Sequence, residues 1–409
     1  MRFDTYKMED ALASLIDYRG KTPHKSDVGV MTLSAKSVRD GYIDYSQCYF
    51  ISEDEYKKFM VRGFPKVGDV LLTTEAPLGV VARLDRDDIA IAQRILTLRG
   101  KEGILDTGYL YYYLRSSIGQ AKLREKESGT TVTGIKQAEF RKIKIDIPCI
   151  AIQRKIASIM EVLDKKIKLN NEINENLQMQ VKALFHSMFI SSKDRFSWGN
   201  GTFSDLIEST LGGDWGKESP TGNNTEMVYC IRGADILEVK AGNKGKIPTR
   251  YILPKNYAAK RLLPGDIVVE ISGGSPTQST GRVAAISQSL LDRYKKGMVC
   301  TNFCRAIKPK LGYSMFVYYY WQYLYDQNVF FSYENGTTGI KNLDLSGFIT
   351  TEEIVIPPIG LIKKFDDYCQ IVFDQTFANG LENEQLSNLR DSLLPRLMSG
   401  EIDVSDLDF

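Results

Sequence analysis

The sequence predicts an α/β (α+β) protein of two pseudo-symmetric domains separated by an antiparallel coiled coil of two long helices. Three observations predict it. The chain has 409 residues, too many for one ordinary core. Its segments recur in the same order at an offset of roughly two hundred residues. Each copy ends in a long stretch with apolar residues spaced by seven.

The repeat is carried by six pairs of segments. Gly20-Lys21-Thr22-Pro23 returns as Gly216-Lys217-Glu218-Ser219-Pro220. Val30-Met31-Thr32-Leu33-Ser34-Ala35-Lys36-Ser37-Val38 has a counterpart in Val228-Tyr229-Cys230-Ile231-Arg232-Gly233-Ala234-Asp235-Ile236. Val67-Gly68-Asp69-Val70-Leu71-Leu72 matches Pro264-Gly265-Asp266-Ile267-Val268-Val269. Tyr111-Tyr112-Tyr113 returns as Tyr318-Tyr319-Tyr320. Gly129-Thr130-Thr131 with Gly134-Ile135-Lys136 returns as Gly336-Thr337-Thr338-Gly339-Ile340-Lys341. Ile145-Asp146-Ile147-Pro148 returns as Ile354-Val355-Ile356-Pro357. One match is weak evidence, but six in order indicate a diverged tandem duplication.

Within each copy, short apolar segments broken by Gly, Pro and Asp read as strands and turns, most clearly at 70–72 and 267–269. A helical stretch around residues 109–121, and again around 315–325, lies between strands. The domains are therefore placed at 1–150 and 197–357, the long helices at 151–192 and 360–400, and a tail at 401–409.

The long helices carry heptad seams. In the first, Ile156, Leu163, Asn170, Leu177 and Leu184 alternate with Met160, Ile167, Asn174, Val181 and Met188. In the second, Phe365, Val372, Asn379, Leu386 and Leu393 alternate with Cys369, Thr376, Asn383, Arg390 and Leu397. Asn170, Asn174, Asn379 and Asn383 occupy equivalent places near the middle of each seam. A buried Asn costs stability unless a polar group meets it, and it is a known device for fixing register. Parallel and antiparallel pairing would both align the asparagines. A whole domain lies between the two helices in sequence, which favours antiparallel. The alternative is that each helix packs on its own domain and leaves the asparagines exposed.

Composition excludes several chemistries. No apolar run is long enough to span a membrane, and residues 1–7 do not read as a secretory signal. Six cysteines form no CxxC pair and accompany only two histidines, His24 and His186, so neither zinc nor a Ser/His/Asp site is indicated. The cysteines read as reduced core residues of a cytoplasmic protein. Asp266, Glu270 and Ser272 lack the lysine of a metal-dependent nuclease strand, and Thr73 replaces the carboxylate in the first copy. Gly212-Gly213-Asp214-Trp215-Gly216-Lys217 is one residue short of a phosphate loop and is followed by Glu218. No GxGxxG follows a strand, and no adenine-methylase tetrapeptide (Asp/Asn-Pro-Pro-aromatic) occurs. What remains are loops rich in Lys, Arg, Ser, Thr, Gly and Asn, such as residues 21–25 and 273–282. Such side chains and the N–H groups of Gly-rich turns suit phosphates and base edges. The tyrosine runs could stack on bases, but aromatics clustered on a helix read first as core. The net charge of +2 is low for a lone nucleic-acid binder.

The repeat, the Gly-Thr-Thr and Ile-x-Ile-Pro segments before each long helix, and the ending Leu393-Leu394-Pro395-Arg396-Leu397-Met398-Ser399-Gly400-Glu401-Ile402 resemble the specificity (S) subunits of type I restriction–modification enzymes. The first copy departs at Ala183-Leu184-Phe185-His186-Ser187-Met188-Phe189, which lacks the Pro and the Gly. The resemblance implies two target recognition domains, each reading half of a split double-stranded DNA target. It implies no catalytic site and no cofactor in this chain, but two modification subunits that use S-adenosylmethionine and restriction subunits that use ATP and Mg. The setting would be the cytoplasm of a bacterium or archaeon. Partners that embrace DNA would explain the modest charge. A helix of about 38 residues is roughly 57 Å long, against about 34 Å per DNA turn, so the coiled coil can act as a ruler. Diverged copies imply an asymmetric target. A nuclease or methylase in its own right, or a scaffold or decoy in another defence system, are the alternative functions. The expected DNA contacts are Lys21, Thr22, Lys25, Ser34, Lys36, Thr130, Thr131 and Lys136 in the first copy. In the second they are Lys217, Arg232, Ser275, Thr277, Gln278, Arg282, Thr337, Thr338 and Lys341.

Overall fold

The computed structural model describes residues 1–18, 20–129, 133–275, 277–336 and 340–407. By its contacts the chain divides into two compact units. One comprises Met1–Lys165 with Leu386–Phe409, the other Lys166–Gln385. Each unit therefore contains one repeat domain and part of both long helices.

The first unit is built on a four-stranded sheet in the order Leu12–Asp17, Ile95–Gly100, Val70–Thr73, Val81–Arg83. All its contacts are antiparallel. Val70–Thr73 is buried along its whole length, as a continuous apolar run sandwiched on both faces should be. A second sheet sets Val30–Leu33 between Tyr49–Ile51, antiparallel, and Ala90–Ile91, parallel. A two-stranded ribbon pairs Phe3–Lys7 with Lys144–Pro148. The helix Thr107–Arg115 covers the larger sheet and begins at Asp106, whose carboxylate accepts the Tyr109 N–H at 2.9 Å.

The second unit repeats this plan. Its four-stranded sheet runs Ile207–Gly212, Cys304–Pro309, Ile267–Glu270, Val283–Ala285. Its three-stranded sheet sets Glu226–Ile231 between Thr249–Ile252, antiparallel, and Met298–Cys300, parallel. Gly199–Thr202 pairs with Glu353–Ile356. The covering helix is Ser314–Asp326. Even the buried ion pairs correspond. Asp69 accepts from Arg99 at 2.7 Å and from the Lys66 N–H at 2.8 Å. Asp266 accepts from Lys308 at 2.7 Å and from the Leu263 N–H at 2.8 Å. Both tyrosine runs are buried in their cores, which rules out base stacking for them.

The long helices span Ile150–Phe185, continued by a π turn at His186–Ile190, and Ile359–Ser399. Gly400, at φ 78°, adopts the left-handed conformation that closes a helix. Pro395 lies inside the second helix rather than ending it. Every seam position on both helices is buried or half-buried. In the first unit Ile152, Ile156 and Met160 share a core with Leu394, Leu397 and Met398, and Asp164 accepts from the seam residue Arg390 at 2.9 Å. In the second unit Val181 and Phe185 share a core with Phe365, Cys369 and Val372. Within each unit rising numbers on one helix meet falling numbers on the other, so the pairing is antiparallel.

The asparagines are buried in the second unit and hydrogen-bonded across the helices, in two adjacent layers rather than one. Asn170 donates to Asn383 at 2.9 Å, and Asn379 donates to Asn174 at 2.8 Å. Asn171 and Glu382 join the first layer: Asn383 donates to Asn171 at 2.8 Å and Asn170 to Glu382 at 2.8 Å. Asn174 also donates to the carbonyls of Ala241 and Thr376, each at 3.1 Å.

All six cysteines are free thiols. Cys230, Cys300, Cys304 and Cys369 are buried, but Cys48 is half-buried and Cys149 exposed, so the core reading fails for Cys149. Among the described residues no helix is long and apolar enough to cross a membrane.

Candidate nucleic-acid interface

In each unit the carboxyl ends of the two parallel strands and of the central strand of the larger sheet meet at one rim. Matching backbone hydrogen bonds define it. Ala92 donates to Leu33 at 2.8 Å, as Thr301 does to Ile231 at 3.0 Å. Thr74 donates to Arg94 at 3.0 Å, as Ile271 does to Phe303 at 2.9 Å. Ile135 donates to Thr74 at 2.9 Å, as Leu343 does to Ile271 at 2.8 Å. These bonds align Ser34 with Arg232 and Arg94 with Phe303.

The structure sorts the expected DNA contacts into two groups. In the first unit Ser34, Lys36 and Lys136 belong to the rim. Ser34 opens a 3-10 turn, its N–H held by the Ser37 hydroxyl at 3.3 Å. Lys36 and Lys136 are exposed and form no ion pair among the described residues. Lys21, Thr22 and Lys25 lie apart, on an exposed loop whose Ser26 meets Phe50 of the outer strand. Lys25 sits over the Tyr49 ring, 5.0 Å from its centre.

In the second unit Lys217 takes the corresponding outer place, bridged to Tyr251 and exposed. Arg232, Ser275, Thr277, Gln278, Arg282 and Lys341 gather at the rim. There Ser272–Gly273 pairs with Lys341–Leu343, which pairs in turn with Glu334–Asn335. Ser275 shapes the following turn, its hydroxyl accepting from the Gln278 N–H at 3.0 Å, and leaves Thr277 and Gln278 exposed. Thr130, Thr131, Thr337 and Thr338 lie outside the described residues.

The charges at this rim are not equally available to a ligand. Arg282 grips the buried Glu270 with two bonds of 2.7 and 2.6 Å. Arg232 grips Asp235 with two of 2.9 Å. Lys341 donates to Glu334 at 2.7 Å, and Glu334 also accepts from the Thr280 N–H and hydroxyl at 2.6 and 2.9 Å. Burial alone would raise the Glu334 carboxyl, but these donors outweigh it and hold it below the usual range. Breaking a buried pair strands the remaining charge at a cost of about 3 kcal/mol, so these cations hold the rim in shape before they do anything else. Lys36, Lys136 and Gln278 are exposed and held by no side-chain partner among the described residues, and the exposed Thr277 shares its hydroxyl only with that of Ser275, at 3.4 Å.

Two rim residues carried no sequence signal. Arg94 is half-exposed, pairs with Glu75 at 2.7 Å, and holds φ at 71°, uncommon for a side chain of its size. Phe303 stands at the same turn with 59% of its surface exposed. Only the backbone match between the units brings them to attention. Asp266 and Glu270 are each occupied by their own cation, and among the described residues no three His, Cys, Asp or Glu converge as metal ligands.

The profile of the type I restriction modification DNA specificity domain matches residues 35–179. The type I restriction enzyme MjaIX specificity subunit of Methanocaldococcus jannaschii is 26% identical over 396 residues, covering 87% of this chain and 82% of its own. The HindI specificity subunit of Haemophilus influenzae is 22% identical over 406 residues, covering 82% and 87%. Residues 35–179 match the type I specificity domain, and over most of its length the chain is similar to type I specificity subunits. Its fold is that of the crystal structure of a type I restriction–modification S subunit from M. genitalium. The TM-score is 0.57 at 15% identity, over 97% of this chain and 96% of that one. The family match stops in the first long helix, so for the second half the similarity rests on the long matches to these relatives.

Proposed function

We propose that the chain reads a bipartite, asymmetric double-stranded DNA target and presents it to modification subunits that methylate adenine. The observation that carries this reading is one framework used twice with different rims. Where the first unit has Ser34, Arg94 and Thr73, the second has Arg232, Phe303 and Glu270. A duplicated scaffold with unlike reading surfaces suits two unlike half-sites. Two modification subunits and, for cleavage, restriction subunits complete the assembly in the cytoplasm. S-adenosylmethionine, ATP and Mg belong to those partners. Exposed apolar Leu169 and Ile173, four residues apart on the first long helix, offer a surface for such partners. The register of the paired helices then sets the spacer length that is accepted. The test is to map methylated adenines in the host genome with and without this gene. A split, non-palindromic methylated motif that vanishes on deletion is expected. An unchanged methylation map would overturn the proposal.

A further inference from the structure

The equivalence of Arg94 and Phe303 has a chemical consequence. The turn at Phe303 is fixed at several points. The Phe303 carbonyl accepts from the N–H groups of Ile271 at 2.9 Å and Ser272 at 3.3 Å. The Phe303 N–H meets the Thr301 hydroxyl at 3.3 Å, and the Cys304 N–H meets the Thr301 carbonyl at 3.0 Å. On this fixed backbone the ring is 59% exposed. Among the described residues the ring stacks on no other ring. It stands instead on a polar rim: Ser272, whose hydroxyl meets Asn342 at 2.6 Å, lies on the same rim as Lys341 and the exposed Thr277 and Gln278. A single exposed apolar side chain is ordinary on a protein surface. One carried on a firmly bonded turn, on a polar rim and in the place where the other unit carries a cation, fits a ligand with an apolar spot framed by hydrogen-bonding groups. In the DNA major groove the only such spot on an unmodified base edge is the thymine 5-methyl group.

Resting on the reading of the chain as a DNA specificity subunit, we infer that Phe303 is a specificity-determining residue that packs against the 5-methyl group of one thymine in the half-site read by the second unit. The first unit cannot make this contact, because its equivalent residue is Arg94. The two half-sites therefore differ at the corresponding position through this exchange.

The test uses the chain assembled with its modification subunits and a duplex carrying the mapped target. Each thymine of the target is replaced in turn by deoxyuridine, which deletes the methyl group and keeps the hydrogen-bonding edge. Wild-type complex is expected to lose about fourfold in affinity at one thymine, the value of one buried methyl group. The Phe303→Ala complex is expected to bind the thymine target more weakly and to be indifferent to deoxyuridine at that same position. Phe303→Leu should restore part of the difference. The salt dependence should stay as in wild type, because the ring neutralises no phosphate. The inference is overturned if the target contains no thymine, if no replacement affects wild type, or if Phe303→Ala keeps the wild-type response. It is equally overturned if Phe303→Ala binds the target normally but fails to hold the modification subunits, which would put the ring against protein. A wild-type complex that cannot distinguish its mapped target from a scrambled duplex would instead sink the DNA-reading proposal itself.

Discussion

Lys240 shows how one residue's surroundings set a measurable property. It ends the short helix Ile236–Lys240 and lines a small cavity with Gln178, Lys182, Tyr318 and Thr376. Burial pushes its ammonium down to about 8, the neighbouring Lys182 and Arg282 add to the effect, and Asp326 opposes it. The unfolded chain keeps this proton until about pH 10.4. Between pH 8 and 10 the unfolded state therefore binds more protons, and this group makes stability rise with pH. Below pH 8 the full cost of the buried ammonium is present. Lys240→Met should raise the melting midpoint at pH 7, and its advantage over wild type should shrink as the pH climbs from 8 to 10. Parallel melting curves at every pH would place the ammonium in water. None of this was legible in the sequence, because Lys240 belongs to an unremarkable amphipathic turn and its cavity is made by residues from three distant segments. The same limit applies to Arg282 and Arg232. As residue types they qualify for phosphate contact, but Glu270 and Asp235 hold them.

At the scale of the helices, the heptad spacing alone located both seams and the four asparagines. The sequence could not disclose what else each asparagine meets. Asn170 has a buried amide oxygen without a partner, whereas Asn174 supplies donors to the Ala241 and Thr376 carbonyls. The two layers should therefore respond differently to the same chemistry. Replacing Asn170 and Asn383 together by Leu removes both partners of one bond and one unsatisfied acceptor, leaves only the exposed Asn171 and half-exposed Glu382 to turn to water, and should be neutral or stabilising. Asn174→Leu strips two carbonyls and Asn379 of their partner and should cost about 1–3 kcal/mol. Chemical denaturation of the two variants checks the order. A destabilised double variant beside an unchanged Asn174→Leu would reverse the assignment. If the layers hold register, the double variant should also accept targets with altered spacer length. Pro395 and the π turn at 186–190 were less legible, since helix ends depend on packing more than on local sequence.

For the molecule as a whole, the six repeated segments already implied two copies of one fold, and three sheets of each unit match in strand order, whereas among the described residues the ribbon of Val38–Arg39 with Tyr42–Ile43 belongs to the first unit alone and the sheet around Lys341–Leu343 to the second. The division into units was not legible. Contacts draw Leu386–Phe409 into the first unit and cut both long helices between units, because a helix buries its seam against whatever faces it rather than against its sequence neighbours. The rim was legible only in part. Lys36, Lys136, Thr277 and Gln278 announced themselves by residue type, whereas Phe303 and Arg94 emerged from superposed hydrogen bonds. The carboxylates of Asp69, Asp266 and Glu270 are each paired with a cation, and among the described residues no three His, Cys, Asp or Glu converge as metal ligands. Purified chain incubated with DNA, magnesium and S-adenosylmethionine should neither cut nor methylate. Turnover in a preparation free of partner subunits, measured by methyl incorporation, would contradict this.

The core of the first unit joins Ile152, Ile156 and Met160 to Leu394, Leu397, Met398 and Val404, with the whole of Lys166–Gln385 between them in sequence. During synthesis on a ribosome, the start of the first long helix leaves the exit tunnel hundreds of codons' worth of time before its partner exists. At about 5–20 residues per second, roughly 230 residues take on the order of ten to fifty seconds to make. For that interval, while the second unit is itself being made, the first unit carries an uncovered apolar stripe. The first unit is thus the last to have all its core residues in hand, and its nascent form is the stage at which a chaperone has most to protect.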